Sequence, residues 1–133
     1  MTRINLVEPR ELSNQHLMAE YREIFMVGSS LQRSLKSPNF NVNKISKEFT
    51  LNKGHVMFFY DKGKYLHNRY RLLRKELLRR GFKIDVNRTF KVEQWKEELY
   101  NDWKPSDKDL EIIRQRIQEK IDMKPDWYVW HER

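Results

Sequence analysis

A predominantly helical single domain is the architecture this sequence predicts, on three observations. Three segments place apolar residues at helical spacing. No internal repeat, low-complexity tract or linker divides the 133 residues. A hydrophobic content of 38%, with four Trp, six Tyr and seven Phe, is enough to build one core without covalent help. The chain has no cysteine, which removes disulfides, thiolate nucleophiles, iron–sulfur clusters and cysteine-based zinc sites together and fits a reducing compartment.

The first helix is expected from about Glu11 to Val27. Pro9 suits a first turn, with Glu8 and Glu11 where a helix dipole favours carboxylates. Leu17, Tyr21 and Ile24 follow at i, i+4 and i+7, and Met18 with Phe25 widens the stripe. Gly28-Ser29-Ser30 is expected to bend or end this helix. The stretch from Lys36 to Asn43, with Pro38 and its asparagines, reads as a loop. Val56 to Tyr60 is apolar throughout, and periodicity leaves helix and strand open there.

From Lys64 to Arg80, Leu66, Tyr70, Leu73 and Leu77 recur at helical spacing, and Gly81 stands where a helix stops. Lys64, Arg69, Arg71, Arg74, Lys75, Arg79 and Arg80 are expected to form its exposed basic face. Ile84 to Lys104 is less regular, with Trp95, Leu99, Tyr100 and Trp103 as its buried members. Ser106 or Asp107 is placed to cap a last helix carrying Leu110, Ile113, Ile117 and Ile121, with Arg114, Arg116 and Lys120 largely off that stripe. The aromatic tail from Pro125 to Trp130 is expected to pack back on the core rather than stay available for stacking.

Lys and Arg number 27 against 19 Asp and Glu, a formal net charge of +8. For a small domain such a surplus fits either a solvated surface or an anionic partner, nucleic acid foremost. His16, His55, His67 and His131 are scattered and include no HExxH pair, so no metal centre is expected. Neither a signal-peptide core nor the roughly 18 apolar residues of a bilayer span is present, so a soluble, cytoplasmic protein is expected.

Gln15, His16, Arg22 and Glu23 sit at i, i+1, i+7 and i+8, which predicts a polar patch on one side of the first helix. Surface ion pairs explain such a patch as readily as chemistry does, and Glu20 could serve the same structural purpose. At the start of the chain, Thr2 after Met1 permits removal of the initiator methionine. A terminal α-amine has a reference pKa of about 7.7–8.0, and cations such as Arg3 and Arg22 nearby would lower it. An unprotonated amine can attack an anomeric carbon and form a Schiff base.

The run Met1-Thr2-Arg3-Ile4-Asn5-Leu6, then Glu11-Leu12 and Gln15-His16-Leu17-Met18-Ala19-Glu20-Tyr21-Arg22-Glu23, closely resembles the N-terminus of phage-type pyrimidine-dimer DNA glycosylases with abasic-site lyase activity. Gly54-His55-Val56 with Phe58-Phe59-Tyr60-Asp61-Lys62 resembles the middle motif of that family. Arg80-Gly81-Phe82, Glu119-Lys120-Ile121, Pro125 and Trp127-Tyr128 follow in the family's order. The resemblance implies a compact all-α domain of about three main helices, long loops and an aromatic C-terminal tail, which turns the Val56 to Tyr60 run towards helix. It implies that the Thr2 α-amine attacks the damaged nucleotide's anomeric carbon, displaces the base and leaves an imine. Glu23 matches the carboxylate supporting ring opening and β-elimination, Arg3 and Arg22 the phosphate-holding arginines, and Gln15 and His16 their polar neighbours. Arg116 and Lys120 resemble backbone-binding cations. The implied partner is damaged double-stranded DNA, bound by a monomer that flips a base from the stack and needs no cofactor, metal or membrane.

One position and two segments depart from the pattern: Met26 stands where the family carries a cleft arginine, the loop from Lys36 to Asn52 matches poorly, and the end from Val129 to Arg133 differs. They keep two other readings open. One retains the lyase and changes the lesion, to an oxidised or ring-opened purine. The other is a non-catalytic DNA-binding domain using the basic helix from Lys64 to Arg80.

Overall fold

The computed structural model describes residues 3–130, so Thr2, with Met1 and residues 131–133 (His131 among them), lies outside the described residues. All regular structure among the described residues is helical. Helix α1 spans Asn14–Glu23 and begins at Ser13, whose side chain accepts the His16 N–H and so satisfies one of the unpaired donors of a first turn. The chain stays in the right-handed region at Ile24, then restarts as α2, Phe25–Leu35. The expected bend or end at Gly28-Ser29-Ser30 is therefore corrected. Gly28 lies buried inside α2, against the side chains of Gln94 and Trp95; a missing side chain here permits close approach rather than a bend.

The apolar run after Gly54 forms a short helix, α3 (His55–Phe58), continued by a 3-10 turn over Phe59–Asp61. Helix α4 runs Gly63–Arg79 and ends at Gly81, whose φ of 87° is a left-handed stop that favours glycine. Ser106 caps α5, Asp107–Met123, in a reciprocal capping box with Asp109. The core fills the space where α1 packs on α4 and α2 packs on α1 and α3. Leu17 and Ile24, Leu31, Leu66, Leu73 and Leu77 are fully buried there, together with Ile4 and Leu12 from the N-terminal segment. Helix α5 adds Ile113 alone as a buried residue, so its exposed length stays free to present cations.

Two further expectations are corrected. The basic face of α4 is smaller than the composition suggests, because Arg69 and Arg80 are 3% and 2% exposed. Arg80 donates to Glu76, to Asn14 Oδ1 and to the Pro9 and Arg10 carbonyls. It thus joins the end of α4 to the entry of α1, and Arg79 shares the same Glu76. The aromatic tail does not enter the core: Trp127 and Trp130 remain 55% and 47% exposed. No helix among the described residues is long and apolar enough to cross a membrane.

Gly63 opens α4 directly over Trp95, where an added Cβ would lie 2.8 Å from two ring carbons. Since a buried indole has little room to retreat, Gly63→Ala is expected to lower the unfolding free energy by about 1–3 kcal/mol. Urea denaturation checks this; a variant as stable as the parent contradicts the contact.

Candidate active-site cleft

A cleft of about 270 Å³ lies where the N-terminal segment, α1, α5 and the tail converge. Helix α1 contributes His16, Ala19, Glu20 and Glu23, the i, i+3, i+4, i+7 set that shares one helical face. Facing them are Arg3 and Asn5, then Arg116 and Lys120 of α5 at the same four-residue spacing, and Tyr128 closes one end.

Of the residues singled out in the sequence, the cleft thus gathers Arg3, His16, Glu23, Arg116 and Lys120. It does not gather Gln15 or Arg22. The reason is helical geometry: residues seven apart nearly superpose, while adjacent residues differ by about 100°. His16 and Glu23 therefore share the cleft face, and Gln15 and Arg22 share the next one, where Arg22 is exposed. Gln15 is tied to the tail instead. Its Nε2 donates to the Trp127 carbonyl at 2.8 Å and its Oε1 accepts the Val129 N–H at 3.1 Å. The Val129 carbonyl accepts the Asn14 N–H, and Trp130 Nε1 donates to the Glu11 carbonyl. This strap holds Tyr128 flat on His16, with ring centroids 4.7 Å apart and planes 11° from parallel.

Burial holds His16 below the ordinary imidazole range; Glu20 opposes that shift and Lys120 adds to it. The ring is accordingly neutral at neutral pH, with Nδ1 3.0 Å from Ser13 Oγ. Burial and the adjacent Arg116 push Arg3 down from its usual value, with Glu23 acting the other way. Arginine remains charged through such a shift, and its Nη1 donates to the Leu51 carbonyl at 3.0 Å. Arg3 and Arg116 also wall a second, more open groove that runs past Asn52 and Lys53. The cations therefore continue beyond the cleft along one surface.

Helical spacing alone did not separate the two cleft carboxylates; only the resemblance singled out Glu23. Glu20 is 1% exposed, and both its oxygens accept from Arg69, at 2.7 and 3.0 Å. Its charge is committed to structure. Glu23 is half-buried one turn further along the same face. The signal that separates them lies in α4, where Arg69 falls on the apolar stripe of Leu66, Tyr70 and Leu73 and must bury its charge against a partner. Met26, at the family's arginine position, is 52% exposed on α2. Among the described residues, no three His, Asp or Glu side chains gather as a metal site.

The family model for pyrimidine dimer DNA glycosylases matches residues 1–90, more than half of the chain. The match covers Arg3 and all of α1 to α4, and stops short of Arg116 and Lys120.

The Gln15 contacts predict that Gln15→Ala releases the tail locally. Amide exchange at Val129 should accelerate while global stability changes by only about 1 kcal/mol, the usual net worth of a hydrogen bond. Unchanged exchange at Val129 contradicts the strap.

Proposed function

The chain belongs to the pyrimidine dimer DNA glycosylase family, and from that membership we propose that it excises cyclobutane pyrimidine dimers and then cuts the abasic strand through an imine on the Thr2 α-amine. The observation that carries this reading is the meeting of Arg3, next in the chain to Thr2, with Glu23 and the α5 cations in one cleft. Such a cleft suits an amine acting on a phosphate-flanked sugar. Cations favour its neutral, nucleophilic form and hold the phosphates, while one carboxylate moves protons.

In the proposed reaction, the chain begins at Thr2 after loss of Met1. The amine lone pair forms a bond to C1′ as the glycosidic electron pair leaves with the base, which takes up a proton. The new C–N group gives a proton to the Glu23 carboxylate, which passes it to the ring oxygen as the sugar opens, and the imine results. The Glu23 carboxylate then removes a C2′ proton, and the C3′–O electron pair departs with the phosphate. Water hydrolyses the imine and restores the amine. Arg3, Arg116 and Lys120 hold backbone phosphates at the cleft, His16 stands at its wall, and the outer Gln15 and Arg22 meet the duplex beside it. One chain carries both the amine and the carboxylate, so a monomer suffices.

Glu23→Gln keeps the shape of this site and removes its proton carrier. Its affinity for a duplex with an abasic site is expected within about threefold of the parent, with strand cleavage slower by about 100-fold or more. Cleavage at the parental rate contradicts the role given to Glu23. On duplexes carrying a thymine dimer, the parent should break one glycosidic bond of the dimer and cut the strand there, while the displaced base stays joined to its neighbour by the cyclobutane ring. Cleavage of abasic duplex alone would move the same chemistry to another lesion, the reading that Met26 favours.

Each phosphate neutralised on binding releases counterions, so affinity should fall steeply with salt. Arg116→Ala is expected to reduce the slope of log affinity against log salt by about 1. An unchanged slope places Arg116 away from the backbone.

A further inference from the structure

We infer that His55 is a positioning residue for the N-terminal segment: its Nε2 holds the Ile4 N–H and so fixes the chain next to the cleft. The inference rests on the proposed reaction at Thr2, two residues before Ile4. The Ile4 N–H donates to His55 Nε2 at 2.9 Å, with Ile4 fully buried and His55 2% exposed. Nδ1 lies 2.9 Å from the Thr50 carbonyl, and a carbonyl only accepts, so the ring proton sits on Nδ1 and Nε2 offers a lone pair. Burial pushes this imidazole down to about 4, against the Thr50 hydrogen bond and aided by Arg3. Near neutral pH the accepting form is therefore the one present.

The surroundings make this acceptor specific. Phe49 and Phe59 lie nearly perpendicular to the ring, with centroids 5.5 and 5.4 Å away. An apolar side chain would suit those neighbours and would leave the Ile4 N–H buried without a partner, which is costly. The same turn supplies the Leu51 carbonyl that accepts from Arg3. Two successive residues, Arg3 by its side chain and Ile4 by its main chain, are thus gripped from the short stretch between Leu51 and the start of α3. A nucleophile on a chain terminus depends on such anchoring, because its effective concentration falls sharply with small misplacement.

The test compares the full chain with His55→Leu and His55→Gln, whose Oε1 can restore an acceptor. Three quantities are read: Ile4 amide exchange, affinity for an abasic-site duplex, and single-turnover cleavage at saturating duplex. For His55→Leu we expect faster Ile4 exchange, affinity within about twofold, and cleavage about 10-fold slower or worse. His55→Gln should recover most of both losses. Parental cleavage by a folded His55→Leu variant overturns the inference, as does a parallel fall of affinity and cleavage that tracks lost fold. Should His55→Leu fail to fold, a folded His55→Gln variant with Ile4 protected and cleavage near parental supports it, and one with Ile4 unprotected and parental cleavage overturns it. A parent that leaves abasic duplex intact refutes the reaction at Thr2 instead, and Ile4 exchange in the variants still decides whether His55 is the clamp.

Discussion

The buried guanidinium of Arg69 is the interaction on which the site depends. It donates through Nε and Nη2 to both oxygens of Glu20, and through Nη1 to the carbonyls of Leu6 and Val7. Burial works against this charge, and the Glu20 carboxylate outweighs it, so its pKa lies above the ordinary arginine value. In comparable buried pairs, removing one partner costs about 3–5 kcal/mol, because the other charge is stranded. One side chain of α4 thereby joins α1 to the N-terminal segment. Leu6 shows the cost of that junction: it is the one non-glycine with positive φ, 59°, among the described residues. A leucine in the left-handed region is strained by roughly 1–3 kcal/mol, a cost offset where its own carbonyl and that of Val7 meet Arg69.

The net charge divides accordingly into cations with different duties. Arg69 and Arg80 are structural, each enclosed by a carboxylate and main-chain carbonyls. Arg3, Arg116 and Lys120 surround the cleft. Lys64, Arg71 and Lys75 remain exposed on α4. A similar division separates the cleft carboxylates, since Arg69 takes both Glu20 oxygens and Glu23 lies one turn away from that pair. An N-terminal segment anchored by Arg69 at one end and by the 50–55 loop at the other is a rigid mount. Reactive geometry benefits from such a mount more than from additional contacts.

Much of this was legible in the sequence where local physics decides. The periodicity of α4 and α5, the stop at Gly81 and the Ser106 cap are short-range signals, and the helices follow them. The features that escaped depend on partners distant in the chain. Gly28 resembles a breaker, yet Gln94 and Trp95 explain it. The interruption at Ile24 involves neither glycine nor proline, and its backbone remains right-handed. Arg69, Glu76 and Arg80 were counted by charge, although Arg69 and Glu76 share the buried stripe of α4 with Leu66, Tyr70, Leu73 and Leu77, and Arg80 continues it one residue past the helix. That register marked them as core polar groups. Gln15 and Arg22 stand one residue before His16 and Glu23, and that offset of 100° is what sets them outside the cleft. His55 carried no more than a motif position until Ile4 was seen against it.

The central claim is that the terminal amine of Thr2 is the nucleophile, and it is tested most directly by chemical capture. The methionine-processed protein is incubated with duplex containing an abasic site in the presence of borohydride, which reduces an imine to a stable amine. The protein–DNA adduct is then digested and its attachment point located by mass spectrometry. The account predicts a single adduct on the α-nitrogen of Thr2. No adduct, or an adduct on a lysine side chain, would contradict it.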